Sequence, residues 1–104
     1  MKCISYYFFN VISNKTRWNI ISSLYSGEKC VSDICKEIKE EQSKVSHNLK
    51  ILSECNFVFS KRSGKKIIYS LNKETIKPLF LIVEKHMKKY CKTNCKLKNN
   101  VEKI

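Results

Sequence analysis

The segment EQSKVSHNLKIL, residues 41–52, combines an apolar stripe at helical spacing with a polar face of unusual composition. The stripe is Val45, Leu49 and Leu52, broadened by Ile51, and it predicts a helix that packs one side on a core. The other face crowds hydrogen-bonding groups into its first half, whereas a merely solvated face usually carries Glu and Lys. Such groups can reach base edges and phosphates from a DNA major groove. They belong to Gln42, Ser43, Lys44, Ser46, His47, Asn48 and Lys50.

A second short helix is predicted immediately before this one. Ser32 is a suitable N-cap, and the helix that it starts runs to about Lys39. Only residues 40–42 then separate the two helices. Two short helices with a tight connection, the second polar and basic at its start, indicate a helix-turn-helix.

The preceding helix, which Ser13 or Asn14 can cap, begins with basic residues. Lys15, Thr16 and Arg17 fall in its first turn, where positive charge opposes the helix dipole. A role other than stability is therefore expected. Thr16 and Arg17 are predicted to contact phosphate, with chance surface charge as the alternative.

A strand pair follows the polar helix. Residues 58–62 and 65–71 are rich in aromatic and β-branched side chains and flank a turn at Ser63-Gly64. The tip carries four cations and no acid, which predicts a wing placed against phosphate or the minor groove. An ordinary solvated hairpin is the alternative, but it would show mixed charges. The four cations are Lys61, Arg62, Lys65 and Lys66.

Helices at the two ends of the chain are predicted to pair across a dimer. The first covers about residues 3–12, and the last begins near Pro78, which a helix accepts only in its first turn. Both carry more apolar surface than one small domain can cover. The predicted domain is 1–95, with a basic, disordered tail at 96–104.

Composition points to a polyanionic partner. The 104 residues suffice for one domain, and 21 Lys and Arg against 9 Asp and Glu give a net charge of +12. A lysine bias inherited from an AT-rich genome is the alternative.

The apolar run at residues 4–12 is too short to span a membrane, so a cytoplasmic protein is expected. An enzyme is not expected, because there are two histidines, few carboxylates and no phosphate loop.

The order helix, helix, helix-turn-helix, hairpin, helix resembles the ArsR/SmtB family of metal-responsive repressors over roughly residues 8–90. The expected fold is mainly α with a small β-hairpin wing: a winged helix-turn-helix with extra terminal dimerisation helices. The resemblance implies a prokaryotic, nucleoid-associated homodimer bound to a twofold-symmetric operator in double-stranded DNA. The segments that carry it are NKTR at 14–17, QSKVSHNLKIL at 42–52, CNFV at 55–58 and GKKIIYSL at 64–71.

The resemblance also implies roles for individual side chains. Gln42 or His47 would read a base edge, while Ser43 and Lys50 suit phosphate. Ser46 and Lys44 would lie nearby, and the four cations of the wing would act beside the helix. A second function that keeps the fold is a non-specific architectural or RNA-binding module.

Cysteines supply candidate metal sites. Residues 28–35, with Cys30 and Cys35, resemble the thiolate box of arsenic- and cadmium-sensing members, but Ser32 stands where that box has a cysteine. A buried structural thiol is the alternative for Cys35.

A second set resembles the site of a cadmium- and lead-sensing branch, in which a cysteine at the end of the recognition helix joins cysteines of the tail. It comprises Cys55, His86, Cys91 and Cys95, and its soft ligands would suit Zn²⁺, Cd²⁺, Cu⁺ or As(III). The alternative is a buried Cys55 with two incidental tail thiols and His86 as a polar residue of the interface helix. The same thiols leave open a redox sensor, in which Cys91 and Cys95 or Cys30 and Cys35 would oxidise.

Overall fold

The computed structural model describes residues 4–91. These residues form five helices and three short strands, which confirms the predicted fold class. Cys95 and the tail at 96–104 lie outside the described residues. The elements are α1 Ile4–Ile12, α2 Lys15–Tyr25, β1 Lys29–Cys30, α3 Val31–Ile38, α4 Gln42–Glu54, β2 Val58–Ser63, β3 Lys66–Leu71 and α5 Ile76–Tyr90.

The hairpin of β2 and β3 gains a third strand. β3 lies in the middle of an antiparallel sheet of order β1-β3-β2, with Cys30 opposite Ile68 and Ser63 opposite Lys66. Gly64 turns the hairpin at a φ of 63°. The expected N-cap at Ser32 is wrong by two residues, because Cys30 is the cap residue of α3. Pairing with β3 keeps Cys30 extended, and the helix starts immediately after it.

The core lies where α2, α3 and α4 meet beneath the sheet. Ile20, Ile21, Ile34 and Leu49 are all completely buried. Helix α2 packs against both α3 and α4, so it is the scaffold on which the helix-turn-helix rests. The apolar stripe predicted for α4 is therefore confirmed as its buried face.

Aromatic contacts attach the terminal helices to this core. The ring of Phe8 on α1 lies 4.8 Å from that of Phe57. Phe80 on α5 lies 5.2 Å from Trp18 and 4.9 Å from Tyr25. Both terminal helices are thus fixed by one side, and their other sides face solvent in this single chain.

Helix α5 starts as its sequence predicts. The Asn72 side-chain oxygen accepts hydrogen bonds from the backbone N–H groups of Glu74 and Thr75, at 3.0 and 3.3 Å. The regular helix begins at Ile76, which places Pro78 in the first turn. At that position the missing N–H of proline costs no helical hydrogen bond.

Asn56 ends helix α4 in the left-handed conformation, with a φ of 59°. The Phe57 N–H then donates to the Leu52 carbonyl at 2.9 Å, and the Asn56 N–H donates to Ser53 at 3.1 Å. This is the hydrogen-bond pattern of a Schellman motif. It reverses the chain so that β2 leaves directly from the end of α4.

We expect Asn56→Val to lower the free energy of unfolding by about 1 kcal/mol, because a β-branched residue is strained at positive φ. Asn56→Gly, the matched control, should stay within a few tenths of a kcal/mol of the wild type, roughly. Urea unfolding followed by circular dichroism measures both. Equal stability of the valine and glycine variants would contradict the role assigned to this turn.

Candidate nucleic-acid interface

Helix α4 presents a polar surface to solvent along its first two turns. Val45, Leu49 and Leu52 are completely buried, so the opposite face of the helix is fixed outward. Hydrogen-bonding groups that can act as donors, acceptors or cations cover that face. The exposed side chains are those of Gln42, Ser43, Lys44, Ser46, His47 and Lys50.

Asn48 does not belong to this surface, contrary to the sequence interpretation. Its side chain is only 6% exposed. It follows Val45 by three residues and precedes Leu52 by four, so it falls on the core side of the helix. There its amide nitrogen donates to the Lys44 carbonyl at 2.9 Å, and its oxygen accepts from the Arg17 guanidinium at 3.0 Å.

The first turn of α2 is likewise less open than predicted. Thr16 is 7% exposed, because it lies one helical turn before Ile20 and shares its buried face. Its side chain has almost no surface to offer a phosphate, so that prediction is corrected. Arg17 is half-buried, and its Nε donates to the Val11 carbonyl at 2.5 Å. Asn14 is confirmed as the cap, since its oxygen accepts from the Arg17 N–H at 3.0 Å.

The wing carries its cations on the outside. Lys61, Arg62, Lys65 and Lys66 are all exposed along β2, the turn and β3. Lys61 also lies 3.5 Å from a carboxylate oxygen of Glu28, but exposed pairs of this kind contribute only about 0–1 kcal/mol. The turn at Asn56 joins α4 directly to this hairpin, so the polar helix and the cationic wing follow one another along the chain.

Comparisons with known proteins agree with this geometry. A family model described as "Bacterial regulatory protein, arsR family" matches residues 14–60. The transcriptional repressor SdpR of Bacillus subtilis is 34% identical over 64 residues, which are 62% of this chain and 71% of that protein. The chain belongs to the arsR family. A regulatory family also agrees with the expectation that the protein is not an enzyme.

Two further matches place this arsR-family chain among its relatives. The SmtB homolog of Synechocystis, named a transcriptional repressor, is 32% identical over 80 residues, 77% of this chain and 61% of its own length. The chain spans 50–61% of the length of three curated relatives. The solved homodimeric winged helix-turn-helix DNA-binding domain Mb0332 of Mycobacterium bovis superposes with a TM-score of 0.74. It is 24% identical, and the match covers 79% of this chain and 76% of that one.

In the segment that resembles a thiolate box, Cys30 and Cys35 lie near enough for the charge of one to act on the other. Cys30 is buried, and its sulfur lies 3.2 Å from the Ser32 hydroxyl and 3.3 Å from an Asp33 carboxylate oxygen. Burial raises the pKa of the Cys35 thiol above its ordinary value, and the charge of Cys30 raises it further, opposed by a backbone hydrogen bond. Within residues 4–91 no three Cys, His, Asp or Glu side chains form a group that could hold a metal ion.

The second predicted metal set is not assembled by the described residues. Cys55 lines an apolar groove of about 490 Å³ together with Tyr7, Phe8 and Phe57. The ring of His86 lies instead beside Tyr90, at 5.1 Å. Cys91 caps the end of α5, and Cys95 lies outside the described residues. The part of the chain that the structure describes therefore supplies no complete site for the metals considered.

The raised pKa of Cys35 has a measurable consequence. The folded state keeps this thiol protonated at a pH where the unfolded chain has begun to ionise, so alkylation by iodoacetamide should be slower in the folded protein. Raising the pH through the ordinary pKa of 9.0 should speed the folded reaction. Peptide mass mapping follows the alkylation of Cys35 in the folded and the urea-unfolded protein. Equal rates in folded and urea-unfolded protein at pH 8 would contradict the assignment.

No helix within the described part of the chain combines the length and the apolar character that crossing a membrane requires.

Proposed function

We propose that this arsR-family chain is a homodimeric, sequence-specific DNA-binding transcriptional regulator that acts as a repressor. The observation that carries the proposal is the outward row of hydrogen-bonding side chains on α4, followed along the chain by a wing whose cations are all exposed. The buried stripe of Val45, Leu49 and Leu52 leaves this row no orientation except outward.

Within this proposal the side chains divide by chemistry. Gln42 and His47 can donate to and accept from base edges in the major groove, whereas Ser43 and Lys50 suit phosphate oxygens. Lys44 also lies 3.3 Å from Glu40, which holds its ammonium near the start of the helix. Phosphate contacts supply affinity that depends on salt, while base contacts supply sequence preference. The wing residues Lys65 and Lys66 belong to the first class.

Exposed apolar side chains on the terminal helices support a dimer. In the single chain, Tyr6 and Phe9 on α1 are 74% and 57% exposed, and Ile82 and Tyr90 on α5 are 64% and 66% exposed. Several large apolar side chains exposed together on one helix usually mark a protein interface. A second copy of the chain is the proposed partner, which would set two α4 helices symmetrically along one duplex.

Selection from a random duplex library tests the proposed function. Purified protein should enrich one inverted-repeat sequence, called the operator below. Fluorescence anisotropy should then show tighter binding to the operator than to a shuffled duplex, with affinity that falls steeply with salt. Equal affinity for the operator, shuffled DNA and structured RNA would favour the architectural module instead.

We propose a thiophilic metal or metalloid as the class of ligand that releases the DNA. Relatives of this chain are named for arsenical and cadmium resistance. Cys30 and Cys35 are the thiols that the described residues bring together, and closed sites for such ions need about three or four ligands. Operator binding should therefore be measured with Zn²⁺, Cd²⁺, Cu⁺ and arsenite, in wild type and in Cys30→Ser. Redox sensing would be supported if a mild oxidant releases the DNA, a reductant restores binding, and none of these ions has an effect.

A further inference from the structure

Arg17 occupies a junction between three helices. It lies on α2, its Nε donates to the carbonyl of Val11 in the last turn of α1, and its Nη1 donates to Asn48 on α4. The amide of Asn48 in turn donates to the Lys44 carbonyl within α4. One guanidinium thus connects the end of the first terminal helix to the helix that carries the DNA-facing side chains.

We propose that Arg17 is a positioning residue that sets the rotation of α4, and with it the aim of the base-reading side chains. The inference rests on the proposed function, because it concerns how that surface is oriented. Arg17 acts through Asn48, and this positioning role replaces the phosphate contact predicted for the side chain.

Both hydrogen bonds satisfy groups that need a partner. The carbonyl of Val11 lies in the last turn of α1, where helical carbonyls lack a partner within their own helix. Asn48 is nearly buried, so its amide must be hydrogen-bonded within the protein. A cation as donor makes each bond stronger than one between neutral groups. Arginine is suited to this junction because its planar fork donates in two directions at once.

The bond to Asn48 constrains α4 in a way that its apolar contacts do not. Val45, Leu49 and Leu52 fix which face of α4 is buried, whereas the hydrogen bond at Asn48 also depends on the angle between its donor and acceptor. A small rotation about the helix axis would therefore weaken this bond first, and Asn48 directly follows His47 along the helix. Recognition requires side chains held within about 0.5 Å and 10–20° of the productive geometry. A small rotation of α4 would therefore misdirect His47 and Gln42 while leaving the fold intact.

The bond to Val11 extends the constraint to α1. Helix α1 carries the exposed aromatic side chains proposed to contact the second copy of the chain. The position of that helix in the dimer is therefore linked, through one side chain, to the orientation of α4. Residues in such networks modulate the coupling between sites by about 2- to 30-fold.

Arg17→Lys tests the proposal, because lysine keeps the positive charge but cannot bridge both acceptors. We expect the preference for operator over shuffled duplex to fall by about 2- to 30-fold, with an unchanged dependence of affinity on salt. Asn48→Ala, which alters no charge, should cause a similar loss. The double variant should lose no more than the worse single variant, because both substitutions break the same connection. Circular dichroism sets a temperature at which every variant is fully folded.

Arg17→Gln distinguishes positioning from direct phosphate contact. Loss of one phosphate contact per protomer would lower the slope of log affinity against log salt by about 0.9 per protomer. The proposal predicts no such change. Lys15→Gln is the matched control, since it removes one exposed charge from the same turn.

The outcomes separate the inference from the proposed function. If Arg17→Lys and Asn48→Ala keep the wild-type preference for operator over shuffled duplex, the positioning role of Arg17 is overturned and the proposed function is not. If Arg17→Gln lowers the salt slope while Arg17→Lys keeps the full preference for operator over shuffled duplex, the positioning role is also overturned. Arg17 would then be a phosphate contact, as the sequence predicts. A wild type without any preference would overturn the proposed function and the inference together.

Discussion

Ile82→Glu should separate the proposed dimer and lower affinity for the operator by about 100-fold or more, because two linked half-site contacts bind far more tightly than one. Ile82 is 64% exposed in the single chain, so a carboxylate there meets water and leaves the core untouched. In a dimer the same carboxylate would be buried against apolar side chains, which is strongly unfavourable. The fold should therefore survive while the assembly does not.

Sedimentation equilibrium and fluorescence anisotropy measure this effect together. The variant should sediment as a monomer, and it should bind a duplex containing one half-site about as well as the wild type does. Lys73→Gln, in the turn before α5, changes the net charge by the same amount and should remain dimeric. An Ile82→Glu variant that stays dimeric with full operator affinity would place the subunit interface elsewhere.

His47→Ala should reduce affinity for the operator and spare affinity for shuffled DNA. A good base-edge contact contributes about 1–3 kcal/mol of discrimination, and a symmetric dimer makes each contact twice. His47 is exposed on α4, and its loss creates no cavity in the core. The free energy of unfolding should therefore change little, which separates this effect from destabilisation.

Lys65→Ala on the wing provides the matched comparison. Loss of a phosphate contact should weaken binding to operator and shuffled duplexes equally and reduce the salt slope by about 0.9 for each protomer. Anisotropy titrations of both variants against both duplexes at several salt concentrations show the contrast. If His47→Ala weakened binding to both duplexes equally, His47 would contact the DNA backbone, and the base contacts would lie elsewhere on α4.

Local chemistry made much of the fold predictable. The spacing of apolar residues predicts helix α4. Gly64 and Asn56 indicate turns, because both residue types readily adopt positive φ, as they do here. Pro78 places the start of α5, since proline is accepted only in the first turn. Each of these signals depends on residues within a few positions of one another.

The errors share a different origin, in contacts between distant residues. The sequence predicts an extended segment at residues 29–31, and β1 confirms it. The N-cap of α3 was missed at Cys30, because the strand partner that keeps Cys30 extended, Ile68, comes much later in the chain. Asn48 appeared to be a surface group because its partner Arg17 lies 31 residues earlier. Helical spacing places Asn48, three residues after Val45 and four before Leu52, on the buried side. Arg17 carries no such signal, since an arginine in a first turn is as compatible with phosphate as with a carbonyl.

Dimethyl sulfate protection across the operator tests the central claim most directly, because this reagent methylates guanine N7 in the major groove. Two copies of the chain, each with α4 in a major groove, should protect two clusters of guanines about one helical turn, or a whole multiple of it, apart. His47→Ala should restore methylation within both clusters. A single protected cluster, or protection that is uniform on any sequence, would contradict the account of a twofold dimer reading DNA through α4.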